Sequence, residues 1–188
     1  MAILPIRIMG DPVLHAPAAA VDEITDEIRR LVADMYETMY AAPGVGLAAP
    51  QVGVPLRIYV YTYQDDDGVP WRGEVINPVL WMTPAAPGSP DPDEESEGCL
   101  SFPGERFPLR RSDEVLVTGL DVDGSPVRIE VDGWRARIMQ HEFDHLDGIL
   151  YVDRLSDSDW KTTQKIARKR GWGRSGQSWM PGVDDIQA

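Results

Sequence analysis

Cysteine is nearly missing from this chain: Cys99 is the only one in 188 residues. A lone thiol cannot close an internal disulfide, which fits a reducing cytosol and leaves the sulfur free for a metal or for catalysis. Histidine is scarce too, with three in all. No apolar run approaches the ~18 residues of a membrane-spanning helix, so no such helix is expected. The opening segment MAILPIRIMGDPVL lacks a basic flank and a small-residue cleavage site and is not read as a signal peptide. Positive charge is in deficit, with 18 Lys and Arg against 31 Asp and Glu and a formal net charge of -13. That balance argues against attraction to nucleic acid over the whole surface, though not against a local basic patch.

A hydrophobic content of 43% supplies one real core, and the length suits one globular domain rather than two. Residues 22–42 read as an amphipathic helix, with Ile24, Ile28, Leu31, Val32, Met35 and Met39 on one stripe. Asp22, Glu23, Asp26 and Glu27 crowd its first turns, and Pro43-Gly44 end it. Strands are expected over 57–63 and 74–82. A polar, proline-broken loop is expected over 86–97. Residues 114–120 and 125–131 alternate like a hairpin around a turn ending in Asp123-Gly124. A second helix is read over 133–147, with Asp132 as N-cap and Gly148 as stop. A third is read over about 158–170, followed by an irregular tail. This order implies an α+β fold with mostly antiparallel sheet.

The strongest local pattern is His141-Glu142-Phe143-Asp144-His145. On a helix, residues four apart lie on one face about one turn from each other. Two imidazoles so placed can bind one metal ion, and Glu142 between them can address a water at that ion. A hydrolytic site of this kind needs a third protein ligand and one open position. No histidine follows His145, and Asp147, Asp153, Asp157 and Asp159 lack the setting of a downstream ligand. Upstream, Cys99 sits beside Gly98 in Glu97-Gly98-Cys99-Leu100-Ser101 and is a natural soft ligand as thiolate. Thiolate donates electrons to the ion and makes it a milder Lewis acid, which places more of the work on Glu142 as base.

Three segments together resemble the peptide deformylase family. They are Gly44-Val45-Gly46-Leu47-Ala48-Ala49-Pro50-Gln51, then Glu97-Gly98-Cys99-Leu100-Ser101, then Gln140-His141-Glu142-Phe143-Asp144-His145-Leu146-Asp147-Gly148. The likeness runs over roughly residues 3–155, so a catalytic domain over 1–155 is expected, with a C-terminal helix and tail over 156–188. The resemblance implies antiparallel strands around a central helix that carries both histidines. It also implies metal binding by Cys99, His141 and His145, general acid–base work by Glu142, and donors to the substrate carbonyl from the Gln51 amide and the Leu100 backbone N–H. The implied metal is one divalent ion, ferrous iron in the cell and zinc or nickel in purified protein. The implied substrates are N-formylmethionyl nascent peptides, met in a bacterial cytoplasm.

Further roles are expected around this centre. Gly46 offers its backbone to an extended peptide. Val45 and Ile138, with His141, line an apolar pocket for a methionine side chain. Arg106 aligns with a family arginine near the peptide path, and Arg111 pairs with Asp144 behind the metal ligands. Trp134 and Arg137 stand where aliphatic residues are common in the family, and His15 reads as a solvated loop residue. Lys161, Lys165, Arg168 and Lys169 follow helical spacing and would form a basic stripe able to meet ribosomal RNA phosphates. On the residues alone, a metallopeptidase using the same helix stays open, as do a silent metal-binding domain and a deformylase relative acting on other formylated or acylated small molecules. Cys99 in place of a downstream ligand is what separates the deformylase reading from the metallopeptidase.

Overall fold

Helix α1 (Asp26–Ala41) begins four residues later than its acids suggest. Thr25 caps it, its hydroxyl accepting the Ile28 N–H at 3.4 Å, and Asp22 and Glu23 fall in the bend before it. Side-chain oxygen at the cap satisfies a free N–H of the first turn, which the charge pattern alone cannot locate. Val32, Met35, Tyr36 and Met39 form its buried stripe. They pack with Leu47, Ile58, Val60 and Ile76 into one core layer. The computed structural model describes residues 2–65 and 68–184.

The strands are β1 (Ile6–Arg7), β2 (Gly46–Ala48), β3 (Ile58–Gln64), β4 (Pro70–Met82), β5 (Ser96–Cys99), β6 (Phe102–Pro108), β7 (Glu114–Leu120), β8 (Pro126–Asp132) and β9 (Ser178–Trp179). They build a five-stranded sheet in the order β2-β3-β4-β7-β8 and two small two-stranded sheets, β1-β9 and β5-β6. Each of these pairings is antiparallel. The expected α+β class is therefore correct. Strand β4 is longer than expected and survives a proline because its register shifts between Ile76 and Val79. Asn77 takes the left-handed conformation there, φ 52°, and its amide holds both the N–H and the C=O of Val21 at 2.8 Å.

Helix α2 (Gly133–Leu146) lies between two layers. Ala136, Met139 and Leu146 bury against Ala48, Tyr59, Val75, Val115 and Val117 of the large sheet. Its opposite side faces the β5-β6 hairpin, so the helix is covered on both sides and its sequence shows no clean polar face. Asp132 stands at the N-cap position, but its side chain makes no cap hydrogen bond. The chain arrives there straight from β8, and the Asp113 carbonyl takes the Gly133 N–H at 3.0 Å. Gly148 ends the helix at φ +74°, where a Cβ would come within 2.7 Å of the Ala16 backbone. No L side chain fits that conformation and that gap together.

Helix α3 (Asp157–Arg170) packs Ala167 and Ile166 against Leu14, Phe102 and Tyr151. After it, a segment read as irregular forms β9, which pairs Trp179 with Ile6 and Ser178 with Arg7. Two-residue strands are too short to show periodicity in a sequence.

Candidate metal and substrate site

Cys99, His141 and His145 are brought together by the β5-β6 hairpin facing α2. One ligand atom from each lies within 4.8 Å of the others. Cys99 Sγ is 3.3 Å from His145 Nε2. A register shift between Gly98 and Cys99 aims the sulfur, and the two-residue connection Leu100-Ser101 turns the chain back into β6. The two imidazole rings stand edge to face with centroids 5.0 Å apart. His141 Nδ1 bonds Glu97 Oε2 at 3.0 Å, which fixes that ring and turns its other nitrogen toward Cys99. Burial disfavours a proton on His141, but the Cys99 sulfur and the Glu97 carboxylate overcome this and hold its pKa well above the usual value. The negative groups that favour a proton there also favour a metal cation. Burial keeps the His145 pKa well below normal, with the charge of His141 adding to it, so His145 is a neutral ligand-ready ring. Buried thiol, two close imidazoles (one of them oriented by Glu97) and a negative surround fit one borderline or soft divalent ion.

Glu142 projects from the same helix turn and is 4% exposed. Its Oε2 is buried without a hydrogen-bond partner among the described residues. Burial pushes its carboxyl up to about 7, with the charge on His141 pulling against that rise. A Cβ on Gly46 would sit 2.2 Å from Glu142 Oε1. Glycine is thus required on β2 for the carboxylate to occupy its place.

Gln51 is buried, and its Oε1 accepts the Ala48 N–H at 2.8 Å. That bond orients the amide so that Nε2 points inward, 3.3 Å from Ser101 Oγ and 3.7 Å from Cys99 Sγ. Both N–H donors of that nitrogen have partners here, so a substrate oxygen would have to take one of them over. Leu100 lies beside it on the hairpin turn.

A cavity of about 570 Å³ opens onto this cluster, lined among others by Val45, Gly46, Gln51, Cys99, Leu100, Arg106, Ile138, His141 and Glu142. Val45 is half exposed at its mouth and Ile138 is buried in its wall. Arg106 also lines it and donates to the Ser96 carbonyl at 2.6 Å rather than to a carboxylate. His15 is exposed, and its Nε2 accepts the Gly10 N–H at 3.1 Å.

A group of buried charges lies behind Cys99, His141 and His145. Arg111 reaches both Glu97 oxygens, at 2.8 and 2.9 Å, and Asp144 Oδ2 at 2.6 Å. Arg154 grips the same Asp144 at 2.7 and 2.6 Å. Arg137, one turn before His141, donates to Glu97 Oε1 at 2.7 Å and to the Leu109 carbonyl at 2.6 Å. Burial opposes ionisation of Glu97, but the bonds from Arg111 and His141 prevail and hold it far below the usual carboxylate range. Sequence reading gave Glu97 and Arg154 no role and left Arg137 undecided. The helical offset of Arg137 from His141 was the available signal, since it places an arginine on the ligand face.

An α+β fold whose central helix carries His-Glu-x-x-His, with a cysteine set beside the two histidines where the three could hold a metal, defines a class: the metal-dependent hydrolases. The family model described as polypeptide deformylase matches residues 3–161. The peptide deformylase of Rhodococcus opacus is 53% identical over 97% of this chain and 95% of its own length. That of Mycolicibacterium smegmatis is 50% identical over 97% and 96%. Among solved structures, the peptide deformylase of Legionella pneumophila superposes with a TM-score of 0.76 at 36% identity, covering 90% of this chain and 96% of that one. The Synechococcus elongatus enzyme, solved in complex with actinonin, gives 0.75 at 38% identity, covering 90% and 86%. The chain belongs to the peptide deformylase family and is an enzyme of it.

Proposed function

We propose that this enzyme hydrolyses the formamide at the N-terminus of newly made proteins that begin with formylmethionine, releasing formate and a free amine. The observation that carries this reading is the convergence of Cys99, His141, Glu142 and the inward-turned Gln51 amide on one cavity, with His145 set against the Cys99 sulfur. Cys99, His141 and His145 would hold one divalent ion, ferrous iron in the cell and zinc or nickel after purification. When bound, that ion would polarise the formyl carbonyl and make water acidic. Glu142 takes the proton of the attacking water and returns it to the departing nitrogen, so the C–N bond breaks as a C–O bond forms. The Gln51 Nε2–H and the Leu100 N–H donate to the carbonyl oxygen as it gains charge, each worth roughly 3–4 kcal/mol in such sites. Gly46 pairs with the peptide backbone, Val45 and Ile138 receive the methionine side chain, and Arg106 borders the peptide path. Arg111 and Asp144 hold the ligands from behind.

The decisive assay compares formyl-Met-Ala-Ser with Met-Ala-Ser. Formate and new amine are expected from the first alone, and neither from a Cys99→Ala variant. Cleavage of an internal peptide bond instead would move the enzyme to the peptidases.

The site of action is inferred to be the bacterial cytoplasm. No helix among the described residues is long and apolar enough to cross a membrane. Lys161, Lys165, Arg168 and Lys169 are all exposed on α3, which supports the proposed contact with ribosomal RNA. Reversing charge at Lys165 and Lys169 should weaken co-sedimentation with ribosomes at low salt and leave turnover of the short peptide unchanged. Equal sedimentation would remove the contact.

A further inference from the structure

Trp179 lies beyond residue 161, where the family match stops, yet it reaches the turn that carries the cysteine. It is 4% exposed, held by the β1-β9 pairing. Its indole Nε1 donates to the Leu100 carbonyl at 2.9 Å. The amide of that same peptide unit is the Ser101 N–H, which donates to Cys99 Sγ at 3.4 Å. One planar peptide therefore has a donor on its oxygen and the sulfur on its N–H. The plane cannot rotate without breaking both bonds, and a rotation would swing Leu100 as well. A donor on the carbonyl also polarises the unit and strengthens its N–H toward the sulfur. Met9 N–H adds a second brace, on the Ser101 carbonyl at 2.8 Å, so segments from both ends of the fold clamp this turn.

We propose that Trp179 is a positioning residue for the Cys99 centre. Through the Leu100–Ser101 peptide it keeps the Ser101 N–H on the cysteine sulfur and the Leu100 N–H on the substrate oxygen. The proposal rests on the deformylase reading and on Cys99 as a metal ligand.

Trp179→Phe keeps the buried ring and removes the donor. In the cobalt-loaded enzyme, a thiolate that loses hydrogen bonding gives up its electrons more easily. The sulfur-to-cobalt absorption band of the variant should therefore move to longer wavelength. Its kcat on formyl-Met-Ala-Ser should fall about tenfold, the lower end of losses from groups behind metal ligands, with KM nearly unchanged. A residue that only filled space would lower the melting temperature and leave the band in place. An unmoved band with wild-type kcat overturns the proposal while the deformylase reading stands. A shifted band in an enzyme whose wild type releases no formate keeps the brace and sinks that reading. Should Trp179→Phe fail to fold, the wild-type chain still decides. On zinc addition the indole N–H resonance of Trp179 should move more than those of the exposed Trp81 and Trp160. Equal movement overturns the brace.

Discussion

Glu142→Gln, loaded with zinc or nickel, should keep its metal and lose about 10²–10⁴-fold in kcat on formyl-Met-Ala-Ser, the range for losing a positioned acid–base group. Glutamine has the same shape and will fill the same space beneath Gly46, so the cavity should persist. What it lacks is the ability to accept a proton. Burial, against the opposing charge on His141, lifts the Glu142 carboxyl to about 7, and a further cation beside it would oppose that rise. Even partly offset, such a group exchanges a proton with less bias than an exposed glutamate. The partnerless Oε2 makes the same point: a buried carboxylate oxygen without a hydrogen bond is costly, on the order of 1–3 kcal/mol or more, and is explained by a partner that arrives with the reaction. Metal content and kcat should be measured on the same preparation. Near-normal turnover would remove Glu142 from the chemistry. Loss of metal along with activity would make it a ligand instead.

Arg111→Met should be the most destabilising single change behind the site. The Arg111 side chain is 5% exposed and lies between Glu97 and Asp144, whose side chains are 3% and 8% exposed. Removing one partner of a buried ion group leaves uncompensated charge and typically costs about 3–5 kcal/mol. Here Arg137 and His141 still serve Glu97, and Arg154 still serves Asp144, so about 3 kcal/mol is expected. With a slope of roughly 2 kcal/mol/M, the urea midpoint should fall by about 1.5 M. Metal affinity should drop about 10- to 100-fold in the same variant, because Glu97 is what orients His141. Arg29→Met provides the contrast. Its pair with Asp26 is exposed at 45% and 91%, and such pairs contribute well under about 1 kcal/mol. Equal midpoints for the two variants would show that the buried group adds nothing to stability.

The helix bearing the histidines could be read from the sequence because its chemistry is local: ligands four residues apart need nothing but a helical backbone. The cysteine could be added because it is the one thiol and no histidine follows His145. Of the network that holds them, only the pairing of Arg111 with Asp144 was an expectation; Glu97, Arg137 and Arg154 join it from separate elements, and charge spacing carries no record of which elements touch. Strand β6 was missed for a different reason. Its run Phe102-Pro103-Gly104-Glu105-Arg106-Phe107-Pro108 contains two prolines and a glycine, which punctuate rather than extend a chain. It forms a strand because β5 is its sole neighbour among the described strands, and a proline is tolerated where no second ladder needs its N–H. The start of α1 shows the reverse, a charge pattern overruled by one hydroxyl at Thr25.

The pairing of β1 with β9 ties the time course of synthesis to the finished molecule. Ile6 is synthesised long before Trp179, and their ladder has the longest sequence separation of the described strand pairings. Contacts of such separation form late, after the loop between them has been closed by everything else. The Cys99 turn can be shaped by its own hairpin well before then, but the indole that bonds its Leu100 carbonyl arrives later. An emerging chain would thus carry Cys99, His141 and His145 before it carried that indole.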